Sequence, residues 1–286
     1  MLLSERLTSA ARQLADALAL PPREARLEAQ VLIAHALGVN RAWLIGHDRD
    51  SLTPAQVDAV EALLQRRLAG EPVAYLLGQR EFYGRPFQVT PDVLIPRPDT
   101  ELLVELALAR LPQGEAVNVL DIGVGSGAVA ISLALERPRC RVTGVDISEA
   151  ALQTARANTI YLKLDHRAGF VVCNYAAALS GPFDLVVSNP PYIRAADIAG
   201  LAPEVRNFDP LRALDGGPDG LDAYRALIPQ AARLLAPHGA LVVEVGQGQD
   251  GDVGGLMTAA GLAPEGPARA DLAGIRRAVA GRKKPS

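Results

Sequence analysis

The chain has 286 residues, long for one hydrophobic core and comfortable for two, because domains usually hold about 100 to 150 residues. Its 49% apolar and 21% charged residues exclude extensive disorder, and a formal net charge of -3 offers no global attraction to a polyanion such as naked duplex DNA. Two cysteines, Cys140 and Cys173, exclude a disulfide framework and a four-cysteine zinc site, so both are read as reduced and buried.

The N-terminal segment mixes Glu5, Arg6, Arg12 and Asp16 into its leucines, and no uncharged apolar stretch reaches the roughly 18 residues of a membrane span. A cytoplasmic protein without a membrane partner is therefore expected. From residue 1 to 75 the pattern is helical, with Leu3, Leu7, Ala11, Leu14 and Leu18 on one face. A second helix follows Pro21-Pro22, and Thr53-Pro54-Ala55-Gln56 carries a capping-box signature with Pro at the first helical position. This region predicts a small helical bundle. Residues 76–100 change character: Gly78, Gly84, Pro86, Pro91, Pro96 and Pro98 separate the short runs Pro86–Val89 and Val93–Ile95, which predicts a linker with a short hairpin.

From 101 to 286, strand-like runs alternate with helical stretches, at Val117–Ile122, Arg141–Ile147, Phe170–Cys173, Phe183–Ser188 and Ala240–Val245. That alternation predicts an α/β domain with a mainly parallel sheet covered by helices on both faces. The basic end, Arg282-Lys283-Lys284, reads as a frayed solvated tail.

The first of these strands runs into Gly123-Val124-Gly125-Ser126-Gly127, where glycines let backbone approach a ligand closely. The loop alone also fits a dinucleotide site. The next strand ends at Asp146, 19 residues beyond Gly127, where an acid can accept hydrogen bonds from both ribose hydroxyls. That spacing points to an adenosine-containing cofactor without separating NAD from S-adenosylmethionine. Ser148 is placed to cap the following helix.

Asn189-Pro190-Pro191-Tyr192 sits at the carboxyl end of the strand Phe183–Ser188, where open α/β sheets place ligands. Its two prolines leave carbonyls that only accept, an Asn beside such a carbonyl can accept both hydrogens of a planar NH2, and Tyr192 offers a ring that packs and excludes water. Four histidines, His35, His47, His166 and His238, lie outside every motif and read as structural or exposed. Asp121 reads either as a ligand contact or as an anchor of the turn, and Glu244 as either the far side of the site or a salt-bridged strand end.

The tetrapeptide resembles that of methyltransferases acting on planar nitrogen, adenine N6 or a glutamine amide. Leu94-Ile95-Pro96-Arg97-Pro98-Asp99-Thr100-Glu101, preceded by Arg80-Glu81-Phe82-Tyr83-Gly84, resembles the linker signature of the release-factor glutamine N5-methyltransferase family, also called HemK-like or PrmC-like. Asp121–Ala128, Gly144–Ser148, Glu244-Val245-Gly246 with Gln249, and Asp271–Arg277 are similar to its remaining blocks in order.

The resemblance implies a Rossmann-like class I methyltransferase domain with a seven-stranded sheet, preceded by a helical substrate-recognition domain. It implies methyl transfer from S-adenosylmethionine, without a metal, to the glutamine of the Gly-Gly-Gln loop in class I peptide-chain release factors, with S-adenosylhomocysteine as product and no direct nucleic-acid binding. Carried over residue by residue, Gly123, Val124, Gly125, Ser126 and Gly127 hold the methionine part, Asp146 the ribose and Tyr175 the adenine. Asn189, Pro190, Pro191 and Tyr192 hold the amide, with Asn189 also touching the cofactor. Where the family usually has Asp before its aromatic residue, this chain has Asn174 before Tyr175.

Two alternatives share the tetrapeptide: an adenine-N6 methyltransferase of nucleic acid, and a glutamine methyltransferase acting on a ribosomal protein. The first needs a basic reading module, whereas residues 1–75 hold eight Arg, no Lys and nine acids, a balance of -1.

Overall fold

The computed structural model describes residues 1–284. The helical period at the start of the chain produces α1 (Leu3–Leu18), α2 (Pro22–Leu37), α3 (Arg41–Gly46), α4 (Pro54–Leu68) and α5 (Val73–Leu77). The fully buried face of α1 is Leu3, Arg6, Ala10 and Leu14, with Leu7, Ala11 and Leu18 at its margin. Arg6 is thus an inward charge, and it pairs with Glu61. Thr53 caps α4 as its sequence predicts: its hydroxyl accepts from Gln56 N at 3.3 Å while Gln56 Oε1 accepts from Thr53 N at 3.0 Å.

A hairpin follows, β1 (Gln79–Phe82) and β2 (Arg85–Gln88), turning on Tyr83 and Gly84 with φ of 50° and 70°. Two successive positive values fit a turn matched to strand twist. Val93–Ile95 is not a strand. A 3-10 turn at Pro98–Thr100 leads into α6 (Glu101–Leu108).

The rest of the chain runs β3 (Val117–Ile122), α7 (Ala128–Glu136), β4 (Cys140–Asp146), α8 (Glu149–Tyr161), β5 (Ala168–Val172), β6 (Phe183–Ser188), α9 (Pro203–Phe208), α10 (Asp222–Leu234), β7 (Leu235–Glu244), α11 (Asp250–Ala259), β8 (Leu262–Pro264), β9 (Arg269–Ala270) and β10 (Arg276–Lys283). The sheet order is β5-β4-β3-β6-β7-β10-β8, seven strands, with the short β9 added beside β10. Strands β5, β4, β3, β6 and β7 pair in parallel, and β10 is antiparallel to β7 and β8.

Alternating side chains divide the core. Val119 joins the cluster under α6, α7 and α8, whereas Leu120 and Ile122 join the one under α10 and α11. The basic end is not frayed as expected: Arg282 and Lys283 belong to β10, with Arg282 paired to Glu265 and Lys283 Nζ donating to Leu235 O at 2.8 Å. Pairing with β7 and β8 holds that backbone where no helix or charge pattern announces it.

The chain divides into two compact units, residues 1–79 with 202–208, and residues 80–201 with 209–284. Arg67, buried in α4, holds Glu28 at 2.8 Å and Glu204 of α9 at 3.3 Å. Of the stretch 76–100, expected as a linker with a short hairpin, residues 80–100 group with the sheet-bearing unit. Among the described residues no helix is long and apolar enough to cross a membrane.

Candidate active site

The strand order reverses about β3, since β4 lies on one side of it and β6 on the other, and α/β sheets open a crevice at such a switch point. Ser188 Oγ donates to Ile122 O at 2.6 Å and ties the two carboxyl ends together. In the β6–β7 register Ser188 faces Val243, so Asn189 and Glu244 come next, side by side.

A pocket at this end is lined by Gly123, Val124, Gly125 and Ser126, by Asp146, Ile147 and Tyr175, and by Asn189 and Pro191. Sequence-distant candidates are thereby brought together. Gly127 lies behind the pocket wall: at φ 82° it opens α7, and a Cβ there would stand 2.8 Å from Ile131 Cδ1, so its role is to let helix meet loop. Pro190 is buried, and Tyr192 packs against the α10–α11 core beside the pocket rather than on its wall.

The loop amides are already engaged. Gly123 N and Val124 N donate to Val145 O at 2.8 and 2.9 Å, and Gly125 N donates to Asp146 Oδ2 at 3.0 Å. A phosphate cradle needs such amides free. Two carboxyls, Asp121 and Asp146, border the same wall, and they suit a ligand that carries positive charge. Asp146 Oδ1 also accepts from Ser148 N at 2.9 Å, and Ser148 caps α8 by accepting from Ala151 N at 3.3 Å. Asp121 is buried, and its Oδ2 accepts from Ala130 N at 3.1 Å. Burial pushes its carboxyl up to about 7, the charge of Asp146 adds to this, and the Ala130 amide opposes it.

Tyr175 holds φ at 52°, an uncommon value for a non-glycine residue. Its neighbour Ala176 N donates to Gln230 Oε1 at 3.0 Å, which fixes the segment.

Several working residues were not assigned a role from sequence. Thr100 lines the pocket and its Oγ1 accepts from Asn189 Nδ2 at 3.1 Å. The rest of that proline-rich block is also tied down: Arg97 pairs with Asp209, Asp99 with Arg277 at 3.1 Å, and Glu101 Oε1 accepts from Tyr83 N at 2.8 Å. Gln249 Nε2 donates to Tyr192 O at 3.0 Å and to Gly220 O at 3.2 Å. Tyr192 Oη donates to Glu244 Oε1 at 3.2 Å, so the tyrosine is held at both ends. Asn158, fully buried on α8, accepts from Gln88 N at 2.7 Å and donates to Gln88 O at 3.0 Å and Ser126 O at 2.9 Å, joining hairpin to glycine loop. The blocks containing Thr100 and Gln249 carried a resemblance without a role for either residue, whereas Asn158 lies in no motif. None of the four histidines lines the pocket; His47 stacks on Trp43 with centroids 3.8 Å apart. Among the described residues no group of three or more His, Cys, Asp or Glu is gathered as for a metal ion.

Comparison with known proteins agrees with this architecture. Residues 5–78 match the family model described as PrmC N-terminal domain, and residues 99–202 match the methyltransferase small domain. A release factor glutamine methyltransferase from Bradyrhizobium diazoefficiens is 52% identical over 265 residues, covering 92% of this chain and 89% of that one. One from Rhodospirillum rubrum is 47% identical over 259 residues, covering 91% and 79%. Among solved structures, a methyltransferase from Pyrococcus furiosus superposes with a TM-score of 0.53 at 16% identity, covering 78% of this chain and 98% of that one. A 16S rRNA methyltransferase from T. thermophilus, in complex with AdoMet and guanosine, gives 0.52 at 20% identity, covering 72% and 50%. These two likenesses carry the fold, and the sequence relatives carry the family. With identity of this order along nine-tenths of its length, the chain belongs to the release factor glutamine methyltransferase family.

Proposed function

We propose that this methyltransferase moves a methyl group from S-adenosylmethionine to the side-chain amide nitrogen of the glutamine in the Gly-Gly-Gln loop of class I peptide-chain release factors, as a cytoplasmic partner of translation termination. The carrying observation is that Asn189 and Pro191 share one pocket wall with the glycine loop and Asp146. An amide-gripping loop thus meets a site whose engaged backbone donors and paired acids suit an adenosine-bearing cation.

When bound, S-adenosylmethionine supplies an electrophilic methyl. Asp146 keeps a lone pair on each oxygen for ribose hydroxyls while its other contacts hold the glycine loop and Ser148. Asp121 faces the cationic methionine part. Ile147 and Tyr175 flank the adenine as apolar surfaces, and Asn174, on the same wall, offers its amide where the family usually has a carboxylate.

An amide nitrogen is a weak nucleophile because its lone pair is delocalised into the carbonyl, so orientation is the main lever. Asn189 Nδ2 is turned to Thr100, which leaves Oδ1 to accept one amide hydrogen of the substrate while the Pro190 carbonyl accepts the other. Such bonds strengthen as the nitrogen gains positive charge, so they favour the transition state over the ground state. Tyr192 packs against the glutamine and keeps water out. Its phenol is pushed up, by burial first and by Glu244 next, and so stays neutral and donates to Glu244.

The test is incubation with labelled S-adenosylmethionine and a release factor, intact or with the Gly-Gly-Gln glutamine substituted. Labelling of the intact factor alone supports the reading. Equal labelling of both, or of a ribosomal protein in preference, rejects it.

A further inference from the structure

Pro210, Arg212 and Ala213 also line the pocket, and the turn that carries them is tied to the exit of the tetrapeptide. Ile193 N donates to Leu214 O at 3.0 Å, and Gly216 N donates to Ile193 O at 2.8 Å. Within the turn, Ala213 N donates to Pro210 O at 2.8 Å and Asp215 N to Leu211 O at 2.9 Å. At its start the buried Asp209 pairs with Arg97 of the proline-rich block. Bonds on both sides of Arg212 thus fix its backbone on the pocket wall.

Arg212 is exposed, and among the described residues its guanidinium makes no hydrogen bond and no ion pair, although Asp121 and Asp146 border the same pocket. Other arginines of the sheet-bearing unit behave differently: Arg97, Arg110 and Arg277 each hold a carboxylate. Five donors left open on a ligand pocket match a ligand that brings acceptors. The tetrapeptide side of the pocket is poor in donors otherwise. Pro190 and Pro191 have no N–H, Asn189 Nδ2 is given to Thr100 and Arg97 Nη2 to Asp209, which leaves the Thr100 hydroxyl. A substrate loop brings backbone carbonyls as well as the amide, and a carbonyl buried without a donor is costly. The cofactor wall belongs to the other half of the sheet, at the ends of β3, β4 and β5, whereas the Arg212 turn pairs with the chain leaving β6.

We propose that Arg212 is a specificity residue for the protein substrate: its guanidinium donates to backbone carbonyls of the loop that delivers the glutamine. The inference rests on the reading of the acceptor as a Gly-Gly-Gln loop, and it adds a grip on the chain around the amide that Asn189 holds. Glycines suit such a grip, because without a Cβ their backbone can be approached closely. They also offer no side chain to read, so recognition must fall on their peptide groups.

Arg212→Met keeps an apolar stem and removes every donor, whereas Arg212→Lys keeps the charge without the planar fork. Each variant is assayed for KM and kcat on a release factor at about 50 and about 300 mM salt, and for S-adenosylhomocysteine affinity by calorimetry. Arg212→Met is expected to raise KM by about 10-fold or more, with kcat within about threefold, because the lost bonds hold the loop equally before and during transfer. Product affinity should stay within about twofold, which also reports an intact pocket. Arg212→Lys should still raise KM by at least about threefold. Carbonyls carry no net charge, so the KM ratio of variant to wild type should agree within about twofold at the two salt concentrations.

The proposal is overturned if Arg212→Met leaves KM within about threefold of wild type, or if Arg212→Lys matches wild type. It is overturned equally if product affinity falls with the substitution, which assigns the guanidinium to the cofactor carboxylate. A KM ratio that collapses at high salt also overturns it, since that assigns the guanidinium to an acidic side chain of the substrate. Should the wild-type protein leave release factors unmethylated, the substrate reading fails and this inference with it. An unmoved KM in a protein that does label the release factor fails the inference alone.

Discussion

Gly220→Ala is expected to unhook the substrate loop. Gly220 has φ of 79°, and an added Cβ would lie 2.5 Å from Tyr192 O and 2.6 Å from Gln249 Nε2. The carbonyl is backbone and cannot swing away, so Gln249 must leave, giving up its bonds to Tyr192 O and Gly220 O. Alanine at such a φ costs about 1–2 kcal/mol, each lost hydrogen bond about 1 kcal/mol, and the residual overpacking at least about 1 kcal/mol. The expected destabilisation is therefore about 4 kcal/mol, read as a shift in the urea unfolding midpoint of the sheet-bearing unit at constant slope. Gln249→Ala removes these two bonds and the one that its Oε1 accepts from Gly246 N at 3.0 Å, without the clash, and should cost about 3 kcal/mol. In both variants Tyr192 loses its backbone anchor, and a displacement of roughly 1 Å in a positioning loop costs about 100-fold in turnover. A Gly220→Ala protein within about 1 kcal/mol and threefold of wild type would refute the geometric reasoning.

Three further expectations test the pocket. Asn189→Ala should bind S-adenosylhomocysteine within about twofold of wild type yet lose at least about 100-fold in kcat; full turnover with intact binding excludes the amide-gripping role. Asn158→Ala should lower stability by about 2 kcal/mol, because it leaves the buried Ser126 carbonyl unpaired and removes two part-buried bonds to the Gln88 backbone, and a thermal midpoint equal to wild type contradicts this. Asp121 gives a pH signature. Its folded carboxyl titrates at about 7, far above the usual carboxylate value, so the folded protein holds a proton that the unfolded chain releases. Its contribution to stability is thus fully present below about pH 4 and falls as pH rises to about 7, by at most about 1.4 kcal/mol per pH unit. Asp121→Asn should flatten that slope by one proton's worth. Affinity for the cationic cofactor should rise between about pH 6 and about pH 7.5 in wild type and stay level in the variant, as calorimetric titration will show; parallel profiles for the two proteins would sink the assignment.

Sequence alone determined the parts whose cause is local. Helix starts at Thr53 and Ser148, the strands Val117–Ile122 and Phe183–Ser188, the glycine loop and the Asn189–Tyr192 loop depend on capping, apolar period and fixed φ, which neighbours in the chain supply. Tertiary structure decided what depends on residues brought together from afar. Thr100 and Glu244 lie 89 and 55 positions from Asn189, and that both bear on one tetrapeptide follows from the packing of the proline-rich block on the sheet and from the adjacency of β6 and β7, which no local pattern encodes. Strand adjacency likewise keeps the Arg282–Lys283 end in β10, and the same packing makes the stretch before α6 a pocket wall instead of a tether. Side-chain hydrogen bonds and sheet-edge pairing carry no short-range signature, so their consequences became visible only once the strands had found their order.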